Sequence, residues 1–125
     1  NVKAVIADCG FTSPADIMKK VARQSFKINA GFFIPFLDIA CRIFGKFSFK
    51  DISTVNVLKN SSIPVLFIHG IRDGFVPCEM SERGYNNAPK GSKILLVPDA
   101  DHGLSFLVDE NKVKTEVASF LNENL

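Results

Sequence analysis

The stretch PVLFIHGIRDGFVP, residues 64–77, decides the fold of this chain. Between Pro64 and Gly70 the residues are almost all apolar and show no polar alternation, which is typical of a parallel strand covered on both faces. A polar, glycine-spaced loop follows and contains Asp73. Asp-Gly is a common turn dipeptide, but a loop that joins a buried parallel strand to a helix needs no hairpin turn. Asp73 is therefore a candidate functional residue.

Apolar runs and helical patterns alternate on both sides of this strand. The further predicted strands are residues 2–8 (VKAVIAD) and 92–98 (SKILLVP). The predicted helices are residues 14–24, 77–88 and 109–125. Ser13 and Asp109 are the predicted N-caps of the first and the last of them, and Gly84 weakens the middle one. The alternation indicates an α/β fold, a parallel sheet of about three strands with flanking helices, in a single domain of residues 1–125.

Composition and charge exclude several classes of function. The chain has 125 residues, of which 46% are hydrophobic and 22% charged, as is ordinary for a soluble globular protein. Its net charge is +2 and it has no run of Lys or Arg, so we expect no nucleic-acid partner. The longest apolar stretch, residues 28–44, is interrupted by polar residues and a proline and is too short to span a bilayer.

The three cysteines are widely spaced and odd in number: Cys9, Cys41 and Cys78. They predict neither a disulfide framework nor a pair with metal-ligand spacing. Unpaired thiols favour a reducing compartment, and we expect a cytoplasmic location. The chain starts without Met and almost directly on a strand, so we expect it to be a piece of a longer protein.

Polar residues follow each predicted strand at the edge where parallel sheets carry their chemistry. Asp8 follows the first strand, Asp73 the second, and the pair Asp101-His102 the third. A lone histidine in a polar loop is by default a solvated side chain. An imidazole that moves protons needs a carboxylate on its second nitrogen, and an acid after one strand with a histidine after the next supplies that arrangement.

The motifs VLFIHGIRDGFVP and VPDADHGLSF together resemble the C-terminal part of α/β-hydrolase-fold serine hydrolases. Members of that superfamily carry HGxxDxxVP, whose Asp is the catalytic acid, and a later H-G, whose His is the general base. The resemblance implies that Asp73 is the acid and His102 the base, in the order Ser, Asp, His. VKAVIADCGFTSP and FSFKDISTVNVLKN are similar to the bacterial esterase- and serine-aminopeptidase-like branch. No metal or organic cofactor is implied.

The nucleophile motif of that superfamily, G-x-S-x-G, is absent from the sequence. We therefore expect the C-terminal half of the fold, which supplies the acid and the base but not the Ser and is inactive alone. The parent protein is expected to cleave ester, thioester or amide bonds in a small acyl substrate or a peptide. Two alternatives stay open: a non-catalytic binding or interaction module, and an acyltransferase that uses the same triad.

Other residues receive structural interpretations. Asp8 is the alternative acid, because some relatives place the acid one strand earlier, although a supporting role is favoured. His69 is expected to pack or to orient the loop, and the Cys9 and Cys78 thiols are expected to be inert.

The Phe-rich segment, residues 28–49, lies between the first two strands and by default packs the core. We predict a helix over residues 35–44, stopped by Gly45, and a short helical or irregular link over residues 51–60. The superfamily inserts a lid at this place, so the segment is expected to be a cap over an apolar pocket. The expected wall of that pocket is Phe32, Phe33, Phe36 and Phe44. We also expect self-association through Val2 to Asp8 or through the cap.

Overall fold

The computed structural model of the chain describes residues 2–49 and 51–125. Three parallel strands form one sheet: β1 (Val5–Asp8), β2 (Val65–Gly70) and β3 (Lys93–Val97). Their order is β1-β2-β3, with Val5 aligned to Val65 and Leu66 aligned to Lys93. The predicted α/β class and parallel three-stranded sheet are therefore confirmed, and β2 lies in the centre.

Helices flank the sheet in chain order. They are α1 (Pro14–Ser25), α2 (Ile34–Ala40), α3 (Thr54–Lys59), α4 (Cys78–Tyr85), α5 (Ser105–Val108) and α6 (Glu110–Asn124). The side chain of Ser13 accepts the amide of Asp16 at 3.1 Å, and that of Asp109 accepts the amide of Lys112 at 3.1 Å, so both predicted N-caps are confirmed. Among the described residues, no helix is both long enough and apolar enough to cross a bilayer.

Two predicted elements are shorter in the structure by three residues or more, and one helix was missed. β1 begins at Val5 rather than at residue 2, because the amide of Val5 bonds to the carbonyl of Pro64 and β2 pairs with β1 only from there on. α4 ends at Tyr85, because the amides of Asn87 and Ala88 bond to the carbonyls three residues back rather than four. The four-residue α5 carries too little periodicity to be predicted.

The core lies on both faces of β2, as its apolar run predicts. Alternate residues of β2 join two clusters, in keeping with the period of two of a strand. One cluster contains Leu66 and Ile68 with Val113 and Phe120 of α6, and the other contains Val65, Phe67 and Leu58. All residues of β2 are buried, including its polar member His69. The strand that leads into the Asp73 loop is therefore the most firmly held element of the fold.

Gly84 weakens the sequence pattern of α4 but is required by its packing. A Cβ at this position would lie 2.9 Å from the ring of Phe67, so the absent side chain lets α4 approach β2 closely. The cost of a helical glycine, about 1 kcal/mol relative to alanine, is offset by this contact.

The Phe-rich segment, residues 28–49, folds as a 3₁₀ turn, α2 and a π-helical turn (Cys41–Gly45). The helical stretch ends at Gly45, and the residue that stops it is Lys46, which has a φ of 56°, rather than Gly45 itself. Asp38 organises the segment: it accepts hydrogen bonds from Nε of Arg42 at 2.9 Å and from the amide of Phe49 at 2.7 Å. The predicted helix is confirmed in position, and its end is one residue later and reached through a wider turn.

The predicted phenylalanine wall is wrong. A cavity of about 740 Å³ lies between α1, α2 and α3, but its apolar lining comes from other residues: Ile34, Pro35, Ile39, Phe49 and Ile52. Phe44 is 87% exposed and Phe32 is 72% exposed, and Phe32 packs against Phe33 and Phe36 instead. The hydrogen bonds of Asp38 to Arg42 and Phe49 turn the face of α2 that carries Asp38 toward the rest of the segment. The rings of Phe32 and Phe44 are left exposed.

Candidate active site

Asp73 and His102, the predicted acid and base, meet at the carboxyl edge of the sheet. Asp73 lies in the loop after β2 and His102 in the loop after β3. Oδ2 of Asp73 is 2.7 Å from Nδ1 of His102. Neighbouring parallel strands end at the same edge of the sheet. Asp73 and His102, which are 29 positions apart in the sequence, are therefore brought into contact there.

The carboxylate of Asp73 is fully buried and has all its acceptor positions filled. Oδ1 accepts the backbone amides of Phe75 at 2.9 Å and Val76 at 2.7 Å. Oδ2 accepts ring N–H groups from His102 and His69. Burial alone raises the pKa of Asp73, but the hydrogen bonds from His102 and the two amides outweigh it and hold the pKa below its ordinary value. Asp73 is therefore an ionised and rigidly oriented acceptor at neutral pH.

His69 is a second imidazole on the same carboxylate. Its Nε2 lies 3.0 Å from Oδ2 of Asp73 and 2.9 Å from the carbonyl of Val76. A carbonyl only accepts, so Nε2 carries a proton and donates to both oxygens. Nδ1 lies 2.6 Å from Oγ of Ser81 on α4. His69 is completely buried and orients the Asp73 loop, as the sequence predicts, while its partner Ser81 was missed because nothing in the motif marks it.

The ring of His102 is held by Asp73 through one nitrogen only. Since Asp73 is ionised, Nδ1 of His102 carries the hydrogen that bonds it, and Nε2 is left as the acceptor. Nε2 has no hydrogen-bond partner in residues 2–49 and 51–125. The side chain is 41% exposed, and the ring of Phe75 packs edge-on against it with centroids 5.2 Å apart. This arrangement supports a base that faces solvent and rests on a buried acid.

Asp101 ties the two loops together. Its Oδ1 accepts the amide of Gly74 at 2.9 Å and the amide of His102 at 2.7 Å. The amides of Gly74 and His102 hold the pKa of Asp101 below its ordinary value. Nearby, a Cβ at Gly70 would collide with the carbonyl of Ala100, so the glycine allows the loop after β3 to cross the end of β2. The sequence places Asp101 beside His102 but does not predict the bond to Gly74.

Cys9 comes from the third loop at this edge, directly after β1. Its φ of 51° lies in the left-handed region, and its Sγ accepts the amide of Gly103 at 3.2 Å and donates to Oδ1 of Asp8 at 3.3 Å. Sγ, a carboxylate oxygen of Asp73 and a ring nitrogen of His102 all lie within 4.8 Å of one another. Burial raises the pKa of the Cys9 thiol to about 11, in agreement with the predicted inert thiol.

Asp8, the alternative acid, bonds Cys9 and makes no hydrogen bond to His102 among the described residues. Cys78, the other thiol considered, begins α4, and burial raises the pKa of its thiol. The structure therefore brings Asp73, His102 and Cys9 together and leaves Asp8 and Cys78 outside the pair.

Comparison with known proteins identifies the fold that carries this site. No family model matches the chain. The uncharacterized protein YqkD of Bacillus subtilis (strain 168) is 23% identical over 117 residues, which are 94% of this chain and 38% of that protein. The esterase Pf2001 of Pyrococcus furiosus is similar in structure with a TM-score of 0.60 at 21% identity, over 95% of this chain and 43% of that chain. The fold is that of an α/β-hydrolase segment.

A second solved esterase matches a smaller part of the chain. RhEst1 from Rhodococcus sp. ECU1013 is similar with a TM-score of 0.52 and 27% identity, over 59% of this chain and 26% of that chain. The chain thus spans less than half the length of each of these three proteins. Structural likeness at this identity establishes the fold, while substrate and chemistry have to be argued from the site.

Proposed function

We propose that this chain is the acid- and base-bearing part of a serine hydrolase that cleaves carboxylic ester, thioester or amide bonds. The observation that carries the proposal is the 2.7 Å hydrogen bond between Asp73 and His102, with Nε2 of His102 free to accept a proton. The similarity in fold to two esterases supports it. The serine comes from outside these 125 residues, since no G-x-S-x-G occurs among them.

In the proposed mechanism, Nε2 of His102 takes the proton of the serine hydroxyl as the oxygen attacks the carbonyl carbon. The imidazolium formed is stabilised by the ionised carboxylate of Asp73, which stays deprotonated throughout. His102 then returns the proton to the leaving group, and the same steps with water release the acid. His69 and the two loop amides keep Asp73 oriented, so the acid need not reorganise during the reaction.

The substrate in this proposal is a small acyl compound or a peptide. The open cavity beside α2 is lined by neither Asp73 nor His102, so the substrate class is inferred from the acid–base pair and from the two similar esterases rather than from this cavity.

The test uses the chain extended by the preceding part of its reading frame. A fluorophosphonate probe is expected to label one serine in that longer protein, and labelling is expected to be lost in His102→Ala. The 125-residue chain alone is expected to show neither labelling nor esterase turnover, because the nucleophile and its oxyanion donors supply most of the rate acceleration. Strong labelling of a serine within the 125 residues would overturn the assignment.

A further inference from the structure

Three different loops deliver a thiol, a carboxylate and an imidazole to one point of the molecule. Cys9 follows β1, Asp73 follows β2 and His102 follows β3. One potential ligand atom from each lies within 4.8 Å of the other two. The proposed hydrolysis uses only the carboxylate and the imidazole, so the thiol beside them has no assigned role.

This set of donors suits a soft or borderline divalent cation. Thiolate, imidazole and carboxylate are the three ligand types that zinc takes in proteins. Around a tetrahedral zinc ion with bonds of about 2.0–2.3 Å, neighbouring ligand atoms stand roughly 3.4–3.6 Å apart. The Asp73–His102 contact of 2.7 Å would therefore have to widen by about 0.7 Å, and the thiol would have to move inward by up to about 1.2 Å.

The surroundings allow both adjustments. His102 is the most exposed of the three residues, so its ring is able to swing outward and also gives the ion a path from solvent. The amide of Gly103 donates to Sγ of Cys9 at 3.2 Å, which favours the thiolate, but burial still raises the pKa of the thiol to about 11, so the ion itself has to displace the thiol proton. The bonds of Asp73 to the two loop amides involve Oδ1, so the ion would bind Oδ2, whose second lone pair still accepts the Nε2–H of His69 at 3.0 Å.

We propose that Cys9, Asp73 and His102 form an inhibitory site for a thiophilic divalent cation of the zinc type. Binding releases one proton, from the Cys9 thiol, while the proton on Nδ1 of His102 moves to Nε2 so that Nδ1 can take the ion, and one bond each forms to sulfur, nitrogen and oxygen. A water molecule completes the coordination on the exposed side. The ion replaces the hydrogen bond between Asp73 and His102 and so removes the proton relay.

The binding test uses the 125-residue chain and cobalt(II) as a spectroscopic substitute for zinc. Wild type is expected to show a sulfur-to-cobalt charge-transfer band and the intense visible bands of a four-coordinate ion, both removed by added zinc. Cys9→Ser is expected to lose the charge-transfer band. Its affinity for zinc, measured by calorimetry, is expected to be at least tenfold lower than that of wild type. The matched thiol controls Cys41→Ser and Cys78→Ser are expected to keep both. Circular dichroism checks that every variant is folded.

Each outcome decides the proposal. Absence of the band in wild type, or a band that survives in Cys9→Ser, overturns it. A band lost in Cys78→Ser or Cys41→Ser places the thiolate ligand elsewhere and also overturns it. A band that depends on Cys9 but is unchanged in His102→Gln refutes the three-residue site, because the imidazole would then not be a ligand.

The inhibitory part rests on the proposed function and is tested in the longer protein. Micromolar zinc is expected to lower esterase turnover, and a chelator is expected to restore it. For each variant, the inhibition by zinc is measured as its zinc-free rate divided by its rate with zinc. This ratio is expected to be at least tenfold smaller in Cys9→Ser than in wild type. If the longer protein shows no turnover at all, the proposed function fails while the cobalt band still decides the metal site.

Discussion

The carboxylate of Asp101 lies 2.9 Å from the backbone nitrogen of Gly74, so a side chain in the loop after β3 holds the loop after β2. The same oxygen also accepts the amide of His102 at 2.7 Å. Oδ1 of Asp101 therefore sets the spacing between His102 and the loop that carries Asp73. Asp101 acts through these backbone bonds and touches neither imidazole nitrogen, which makes it a positioning residue.

Asp101→Ala is expected to lower kcat of the longer protein by about ten- to a hundredfold, because small displacements of a catalytic group have effects of this size. Asp101→Asn keeps an oxygen acceptor at the same place and is expected to retain most of the activity. Steady-state kinetics with a nitrophenyl ester measure both variants, with KM changing little. If Asp101→Ala and Asp101→Asn lowered kcat equally, the positioning role would be contradicted, because the effect would then come from the negative charge of Asp101 and not from its two hydrogen bonds.

Asp73→Asn is expected to lower kcat of the longer protein by about 10⁴-fold, because an amide favours the wrong tautomer of the neighbouring imidazole. Asp8→Asn is the matched control, since Asp8 bonds Cys9 instead, and its effect is expected to be far smaller. The two rates are compared in one assay, with the fold of each variant checked by circular dichroism. If the effects came out reversed, Asp8 would be the acid.

Ser81→Ala is expected to destabilise the chain by about 1–3 kcal/mol, because it leaves Nδ1 of the buried His69 without a partner. Urea unfolding measures the change. Ser119→Ala on α6 removes only an exposed bond to Glu123 and is expected to change the free energy of unfolding by no more than about 0.5 kcal/mol. A Ser81 variant as stable as the Ser119 variant would show that the bond to His69 contributes nothing.

Ser105→Ala is expected to leave the free energy of unfolding unchanged or to raise it by about 1 kcal/mol. Within residues 2–49 and 51–125, the Ser105 hydroxyl is the buried side-chain oxygen that has no hydrogen-bond partner. Removing it relieves a desolvated polar atom and opens almost no space. The same urea unfolding series reports the result, and a loss of 1 kcal/mol or more would mean that Oγ has a partner after all.

We propose, as the sequence predicts, that the 125-residue chain self-associates. β1 is an edge of the described sheet, and Val5 and Ile6 on it are 39% and 42% exposed. Light scattering at micromolar concentration is expected to report a dimer or larger. Ile6→Lys is expected to weaken association through the edge, and Phe44→Lys to weaken association through the cap. A monomer that persists at every concentration would contradict both routes.

Much of the fold follows from local patterns in the sequence. The apolar run of β2, the caps Ser13 and Asp109, and the strand–helix alternation are all properties of neighbouring residues, and they correctly predict a parallel sheet. The pairing of Asp73 with His102 follows from one topological rule, that parallel strands end at one edge.

Features that depend on distant parts of the chain were not predictable. The inward side of α2 is set by bonds from Asp38 to residues 42–49, so the outward position of Phe32 and Phe44 has no signature in the apolar pattern. Ser81 reaches the site from α4, and only the assembled fold brings it there.

Asp73 follows β2 and His102 follows β3, so the contact between them depends mainly on the β2–α4–β3 unit and can form once that unit has folded. The two residues are separated by 29 positions, and the loop to be closed between them is short and already guided by parallel strand pairing. Amide hydrogen exchange in β2 is therefore expected to be among the slowest in the chain, while amides of residues 28–49 exchange through local opening. We therefore expect the amides of β2 to stay protected under conditions in which the amides of residues 28–49 already exchange.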